Sequence, residues 1–513
     1  MLTTEIMDLV NELEENFPVD QWVVDGIHVW PLIRMDFSYR LIFHFNFPVN
    51  PYNGSNKLNH LRKYGSYAVQ KAKPLLKYFY SYCKDFTKND FLKTQADLLF
   101  RNDGATYCLL NEKFYDKFCD PLIEQFKYFK INGHMLTADS KFNIPRYTPS
   151  KFIHPHLELT KVKRKILSRR LKLISVCMND LDKMVAFLHK KNIPLEIMTL
   201  NEILVHVYLL RLQESFFRMI LEHVKPLITF QICYYSITGW AFNLASRDYG
   251  IPCVDIQHGR QGPLHPAYGR WRKVPATGYE LLPSIFWNWD NDDKDTINSW
   301  NQDVTQFHKP LVGGYLFENK WLSPAKDELV DMYDKQIHQI KNNQNEFIHV
   351  LYTLSGYEEI QYLDRIFTMF ADWKGKVFIW ARTHPCFMHQ KKQLHQLLKE
   401  KGILNINTEQ ASCFPLFALL RHMDVHITGC SSTVIEAENF GIPSVVIDAY
   451  GKEFFQEQQK SGIAISINSF EELISAIELQ YRKKSIFRKR IRETDKGNEA
   501  LEYILNYINQ NKH

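Results

Sequence analysis

The sequence predicts an α/β protein with two domains of similar plan and a mainly helical N-terminal region. Three observations lead there. From residue 226 onward, short Val/Ile-rich runs bounded by Gly, Pro or polar residues alternate with helix-length segments, the pattern of β-α-β units under a parallel sheet. The chain has 513 residues, more than one ordinary core accommodates. Two stretches also echo each other, TGWAFNLASRDYGIPCVDIQHG from Thr238 and TGCSSTVIEAENFGIPSVVIDAYG from Thr428. Each sets a Gly-Ile-Pro corner between a helix and a Val/Ile strand.

The elements follow in order. Residues 1–95 read as mainly helical, opening on an acidic amphipathic helix and passing through DGIHVWPLIRMDFSYRL, where apolar residues crowd around Trp30 and Arg34. Arg34 reads as a buried ion-pair partner. ADLLF (96–100) is a strand; Asp103-Gly104 has the composition of a tight hairpin turn. Helices are expected over 112–130, 175–190 and 200–226. PLITFQICYY, IPCVDIQHG, EFIHVLYTLSG, KVFIWARTHP, DVHITG and SVVID are expected strands, and KPLVGGYLF (309–317) the crossing between domains. The expected boundaries are 1–95 for the extension, 96–310 and 311–490 for the two domains, and 491–513 for a C-terminal helix.

Composition narrows the function classes. The chain is 45% hydrophobic and 23% charged, which is globular. No apolar run is long enough to span a bilayer, and the N-terminus is not an export signal, so a cytoplasmic setting is expected. Nine cysteines without paired spacing fit a reducing compartment. No zinc-spaced His/Cys cluster, EF-hand or P-loop occurs, so no metal is expected. The net charge of +6 is concentrated in Lys57–Lys93, Lys161–Lys172 and Arg482–Arg492. Such runs read first as solvated helix faces and second as attraction to anionic lipid at the inner face of the cell membrane. No nucleic-acid-binding signature accompanies them.

Parallel α/β sheets bind ligands at the carboxyl ends of their strands. In the second domain three polar loops fall there: Ser355-Gly356, Arg382-Thr383-His384-Pro385, and Gly429-Cys430-Ser431-Ser432-Thr433. The last opens a helix, whose free N–H groups suit a phosphate. Ser431 and Ser432 would add hydroxyls, or serve as plain helix caps. Glu436, one turn in, would accept from a ribose. In the first domain QHGRQG (257–262) ends a strand and offers His258 as a base, with Arg260 beside it to neutralise phosphate.

THP followed by Gly429, Ser431, Ser432, Glu436, Gly441 and Pro443 resembles the nucleotide-binding domain of GT-B glycosyltransferases. The His-Pro and Ser-Ser pairs are similar to motifs of bacterial sialyltransferases and teichoic acid glycerophosphotransferases. The general style is similar to capsule and O-antigen (surface polysaccharide) biosynthesis proteins. The resemblance covers roughly 226–480. It implies two Rossmann-like domains facing a cleft, with a cytidine- or uridine-linked nucleotide-sugar donor on the C-terminal one and a glycan or lipid-linked glycan acceptor on the N-terminal one. It implies no cofactor beyond that co-substrate, and His258 and His384 as catalytic groups. Asp103 matches an acidic-Gly motif of sialyltransferases as an acceptor-side residue, although Asn102 replaces the first acid; Gln257 stands where the glycerophosphotransferases have Trp. The expected activity is metal-independent sugar transfer to a surface polysaccharide. A polyol-phosphate transferase, a nucleotide-sugar epimerase of the same fold and a non-catalytic scaffold subunit are the alternatives.

Overall fold

The computed structural model describes residues 3–46, 94–354, 365–488 and 498–512, apart from short stretches inside these ranges. The basic, aromatic tract Lys57–Lys93 and the ends of the other two basic runs lie outside the described residues, as do Ser355, Gly356, Pro385 and Arg260. The chain divides into two compact units, Met1–Gly314 with Gly497–His513, and Tyr315–Lys496.

Unit 1 is built on seven parallel strands: β1 (Leu98–Asn102), β2 (Gly133–Thr137), β3 (Ser150–Phe152), β4 (Ile228–Ile232), β5 (Cys253–Ile256), β6 (Ile285–Asn288) and β7 (Lys309–Val312). Their order is β3-β2-β1-β4-β5-β6-β7. Strands β1, β4, β5 and β6 are buried along their whole length, which is why they read as continuous apolar runs rather than as alternating ones. Unit 2 repeats the plan with β8 (Ile348–Thr353), β9 (Val377–Arg382), β10 (Ile406–Asn407), β11 (Val425–Thr428), β12 (Ser444–Val446) and β13 (Ala464–Ser466), in the order β10-β9-β8-β11-β12-β13. All its pairings are parallel. The fold class is therefore the expected one, α/β with two Rossmann-like domains: unit 2 has the 3-2-1-4-5-6 strand order of dinucleotide-binding folds, and unit 1 has the same order with a seventh strand beside the sixth.

The N-terminal helices α1 (Thr3–Asn16) and α2 (Trp30–Asn46) are fastened into unit 1 by a buried ion pair. Arg34 Nε lies 2.8 Å from Glu14 Oε1, both side chains fully buried. Glu14 also accepts from Trp30 Nε1 at 2.8 Å and from the Arg272 amide at 2.6 Å, and Arg34 donates to the Gly269 carbonyl at 2.9 Å. Breaking one side of such a pair leaves an uncompensated buried charge, at a cost of roughly 3–5 kcal/mol. Arg34 is thus the ion-pair partner that the sequence suggested. Helix α3 (Leu200–Val224) carries a capping box at Thr199 and packs on α4 (Ile237–Asp248).

The sequence expects a hairpin turn at Asp103-Gly104, and the structure corrects this. Residues 98–102 pair in parallel with strands on both sides, so no hairpin can follow directly. The hairpin comes one step later, between Tyr107–Leu110 and Lys113–Asp116, where Asn111 and Glu112 take φ values of 48° and 63°. The helix expected over 112–130 is accordingly confined to Cys119–Tyr128.

The repeated Gly-Ile-Pro corner has a mechanical origin. After α4, Gly250 (φ +66°) donates to the Arg247 carbonyl at 2.9 Å and Ile251 to the Ser246 carbonyl at 2.9 Å. After α5 (Thr433–Asn439), Gly441 (φ +64°) donates to Glu438 at 2.9 Å and Ile442 to Ala437 at 2.8 Å. Both are left-handed glycine caps that satisfy the last helical carbonyls before the chain enters a strand. They differ in surroundings. A Cβ on Gly250 would meet nothing within 4 Å, whereas one on Gly441 would sit 2.7 Å from the Arg488 Cα. Calorimetry should therefore show Gly250→Ala costing about 1–2 kcal/mol, from backbone strain alone. Gly441→Ala should cost a further ~1–3 kcal/mol, from overpacking.

Candidate functional site

In both sheets the strand order reverses beside the first strand, between β1 and β4 in unit 1 and between β8 and β11 in unit 2. Connections leave in opposite directions on the two sides of such a switch point and open a crevice at the carboxyl edge.

At the switch point of unit 2, hydroxyls do most of the positioning. Thr428 Oγ1, at the end of β11, donates to the Thr353 carbonyl of β8 at 2.8 Å and lies 3.2 Å from the Ser431 amide. Ser431 Oγ accepts from the Thr433 amide at 3.3 Å and lies 2.9 Å from Thr433 Oγ1. Ser431 is therefore the working cap of α5, one of the two readings the sequence left open. Ser432, one residue on, makes no side-chain cap bond and is half-buried at the helix entrance. Glu436 lies four residues further on the same helical face, also half-buried. Helix α5 is only seven residues long, so the electrostatic pull of its N-terminus is modest and the hydroxyls matter more. Gly429 is pinned from behind: a Cβ on Gly451 would lie 1.9 Å from its carbonyl oxygen.

Two further candidates stand at the end of β9. His384 is exposed. Arg382 uses Nη1 to hold the carbonyls of Ala411 and Phe414, at 2.6 and 2.7 Å, which ties the segment 409–414 to this edge. Beneath the edge, His426 spans three strands: Nε2 lies 2.8 Å from Thr353 Oγ1 and Nδ1 3.0 Å from Ser444 Oγ. It is fully buried, and burial lowers its pKa to about 3.

At the switch point of unit 1 stand Asp103, exposed after β1, and the loop Cys233–Ser236 after β4. Cys233 takes φ +58°, an uncommon conformation for a residue with a side chain. His258 follows β5, half-buried, with its Nε2 3.3 Å from the Tyr235 hydroxyl. Burial lowers the imidazole pKa; the field of Asp103 and a backbone contact to Ile256 oppose this, and the Arg101 charge assists it. A lowered pKa favours the neutral ring, the form a general base requires. Gln257 is a brace: buried, it accepts from the Trp289 amide at 2.6 Å and donates to the Gly259 carbonyl at 2.9 Å. Asp255, on β5, accepts from the Tyr234 amide at 3.0 Å and from the Tyr268 hydroxyl at 2.8 Å; burial raises its pKa to about 7.

The structure thus gathers Gly429, Ser431, Ser432, Thr433 and Glu436 at one edge of unit 2, with Arg382 and His384 two strands along. Asp103 and His258 follow β1 and β5 at the carboxyl edge of unit 1, with β4 between these strands. Arg101 and Tyr235 were missed. A charged residue inside the apolar run ADLLFRN was the available signal for the first. Among the described residues no group of His, Cys, Asp and Glu is arranged to hold a metal ion.

No protein-family model matches the sequence, and no curated protein matches it. Solved structures to which the chain is similar include a UDP-GlcNAc 2-epimerase of Methanocaldococcus jannaschii in complex with UDP-GlcNAc and UDP, at 15% identity, covering 80% of this chain and 99% of that one, with a TM-score of 0.49. A UDP-GlcNAc 2-epimerase of Neisseria meningitidis bound to UDP-GlcNAc is 14% identical, with 80% and 99% coverage and a TM-score of 0.49. MurG of Acinetobacter baumannii is 9% identical, with 80% and 99% coverage and a TM-score of 0.40.

Two outcomes follow from the geometry of unit 2. Ser431→Ala should lower stability by about 1 kcal/mol and Ser432→Ala should leave it unchanged, because only Ser431 caps α5. The folded pKa of His426 lies below the usual 6.5, so the unfolded chain takes up the proton first. Its contribution to stability is present above pH 6.5 and is lost as the pH falls toward 3. Denaturation followed across that window should show a flatter acid limb for His426→Asn.

Proposed function

We propose that the chain is a metal-independent enzyme of nucleotide-sugar chemistry, a glycosyltransferase acting in surface polysaccharide (capsule or O-antigen) synthesis. The observation that carries the reading is the hydroxyl-lined switch point of unit 2. Ser432 is left uncommitted there while Ser431, Thr433 and Thr428 order the loop around it. In this reading Ser432, the Thr433 hydroxyl and the loop backbone at Gly429 hold the donor phosphates, Glu436 accepts from the ribose, and His384 stabilises charge on the departing phosphate. Unit 1 supplies His258 as the base that takes the acceptor hydroxyl proton, with the ring set by Tyr235. Asp103 lies on the acceptor side, and Arg260 is assigned there from the sequence alone.

One observation favours a second reading. Asp103 follows β1 and His258 follows β5, at the carboxyl ends of strands separated only by β4, and an epimerase working on the nucleotide-sugar itself would use them as an acid–base couple. The two readings differ in product: transfer releases free nucleotide, epimerisation returns an isomeric nucleotide-sugar.

Thermal shift of the full chain against cytidine, uridine and guanosine nucleotides and their sugar adducts tests the site. One nucleotide should raise the melting temperature of the wild type, and Ser432→Ala and Glu436→Ala should lose at least about tenfold in affinity, equivalent to roughly 1.4 kcal/mol. His258→Asn should keep nucleotide binding and lose turnover by about 10²–10⁴-fold. No stabilisation by any nucleotide would remove the donor-site assignment and leave a scaffold role.

A further inference from the structure

Arg101 is the one charged residue of β1, and its side chain is 1% exposed. Nε and Nη2 donate to Gln231 Oε1 at 3.2 and 3.0 Å, and Nη2 also donates to the carbonyls of Ile232 at 2.7 Å and Cys233 at 3.5 Å. All three partners are neutral. Among the described residues no carboxylate lies within ion-pairing distance of the guanidinium, and Nη1 makes no hydrogen bond. Asp255 feels its field but is held by Tyr234 and Tyr268. A buried cation costs several kcal/mol unless an anion accompanies it. This one is placed at the switch point of unit 1.

The carbonyls it grips lead directly into α4. Ser236 caps that helix, its Oγ accepting from the Gly239 amide at 3.0 Å. The amides of Ile237 and Thr238 precede the first intrahelical donor, the Trp240 amide that bonds the Ser236 carbonyl at 2.8 Å, and stand at a half-buried edge. Gly239 lets the turn close this tightly: a Cβ there would lie 2.4 Å from the Tyr234 carbonyl oxygen. The twelve-residue helix ends its dipole at the same place.

We propose that Arg101 and the first turn of α4 form an anion site in unit 1 that takes a phosphate group, additional to the nucleotide site proposed for unit 2. Arg101 supplies the charge, and the amides of Ile237 and Thr238 supply the directed donors. The phosphate belongs either to the donor or to a phosphorylated second substrate, such as a lipid-linked acceptor.

Calorimetry of the full chain with pyrophosphate and inorganic phosphate tests the site. Pyrophosphate should bind the wild type saturably, and Arg101→Gln should weaken it at least about tenfold. Ile237→Pro should weaken it several-fold. Proline is tolerated at the first helical position, and Ser236 is already extended (φ −128°, ψ 159°), so this variant keeps the test decisive should Arg101→Gln fail to fold. Both comparisons are repeated in a Ser432→Ala background, which disables the site proposed for unit 2; the Arg101-dependent pyrophosphate binding should persist there, so that failure here and failure of the nucleotide site are separable. A saturating nucleoside diphosphate that abolishes the Arg101-dependent part of pyrophosphate binding identifies the phosphate as the donor's; persistence of that part identifies a second phosphorylated substrate. Equal affinity in the wild type, Arg101→Gln and Ile237→Pro, or no saturable binding in the millimolar range, would overturn the proposal.

Discussion

The reversal of strand order beside the first strand of each sheet is the constraint from which the rest follows. In a parallel sheet each crossover is right-handed, so a chain that runs outward one way and then outward the other covers opposite faces. At the point of reversal no crossover bridges the neighbouring strands at their carboxyl ends. Backbone groups there are left without helical cover, and ligands or side-chain hydroxyls must satisfy them. Both units obey this rule. In unit 2 the gap beyond β8 and β11 is filled by a lattice of threonine and serine hydroxyls. In unit 1 the gap beyond β1 and β4 holds a buried guanidinium, a left-handed cysteine and a capped helix start. The two edges use the same topology with different chemistry, one lined by hydroxyls, the other built on a buried guanidinium.

Polar groups inside the sheets keep these edges rigid. His426 ties β8, β11 and β12 together directly under the hydroxyl lattice. In unit 1 the chain Arg101–Gln231–Asn243 runs from β1 through β4 to α4, with Asn243 donating onward to the Leu281 carbonyl at 2.8 Å. Each group is satisfied chiefly by neutral partners, so each is stable only in one arrangement. That is a costly way to build a core and a sound way to hold a site to within a fraction of an ångström.

Much of this was legible from the residues. The strands 228–232, 253–256, 348–353, 377–382 and 425–428 announce themselves as apolar runs because both faces are buried. The Gly-Ile-Pro echo pointed to two units of one plan, and the structure gives the cause as a shared left-handed cap. Where the reading slipped, a local signal outweighed a long-range one. Asp103-Gly104 has hairpin composition, but β1 takes both neighbours from residues far along the chain. Ser431 and Ser432 could not be told apart by sequence, since either can cap a helix; only the direction of one hydroxyl decides. Arg101 was passed over because its meaning lies in what it lacks, a carboxylate partner, and that is a property of packing.

A crystal structure of the full chain with a bound nucleoside diphosphate tests the central claim most directly. The account predicts phosphate oxygens within hydrogen-bonding distance of Ser432 Oγ and the Gly429–Thr433 loop, and a ribose against Glu436. A nucleotide seated elsewhere, with the β8/β11 edge unoccupied and Ser432 untouched, would contradict it.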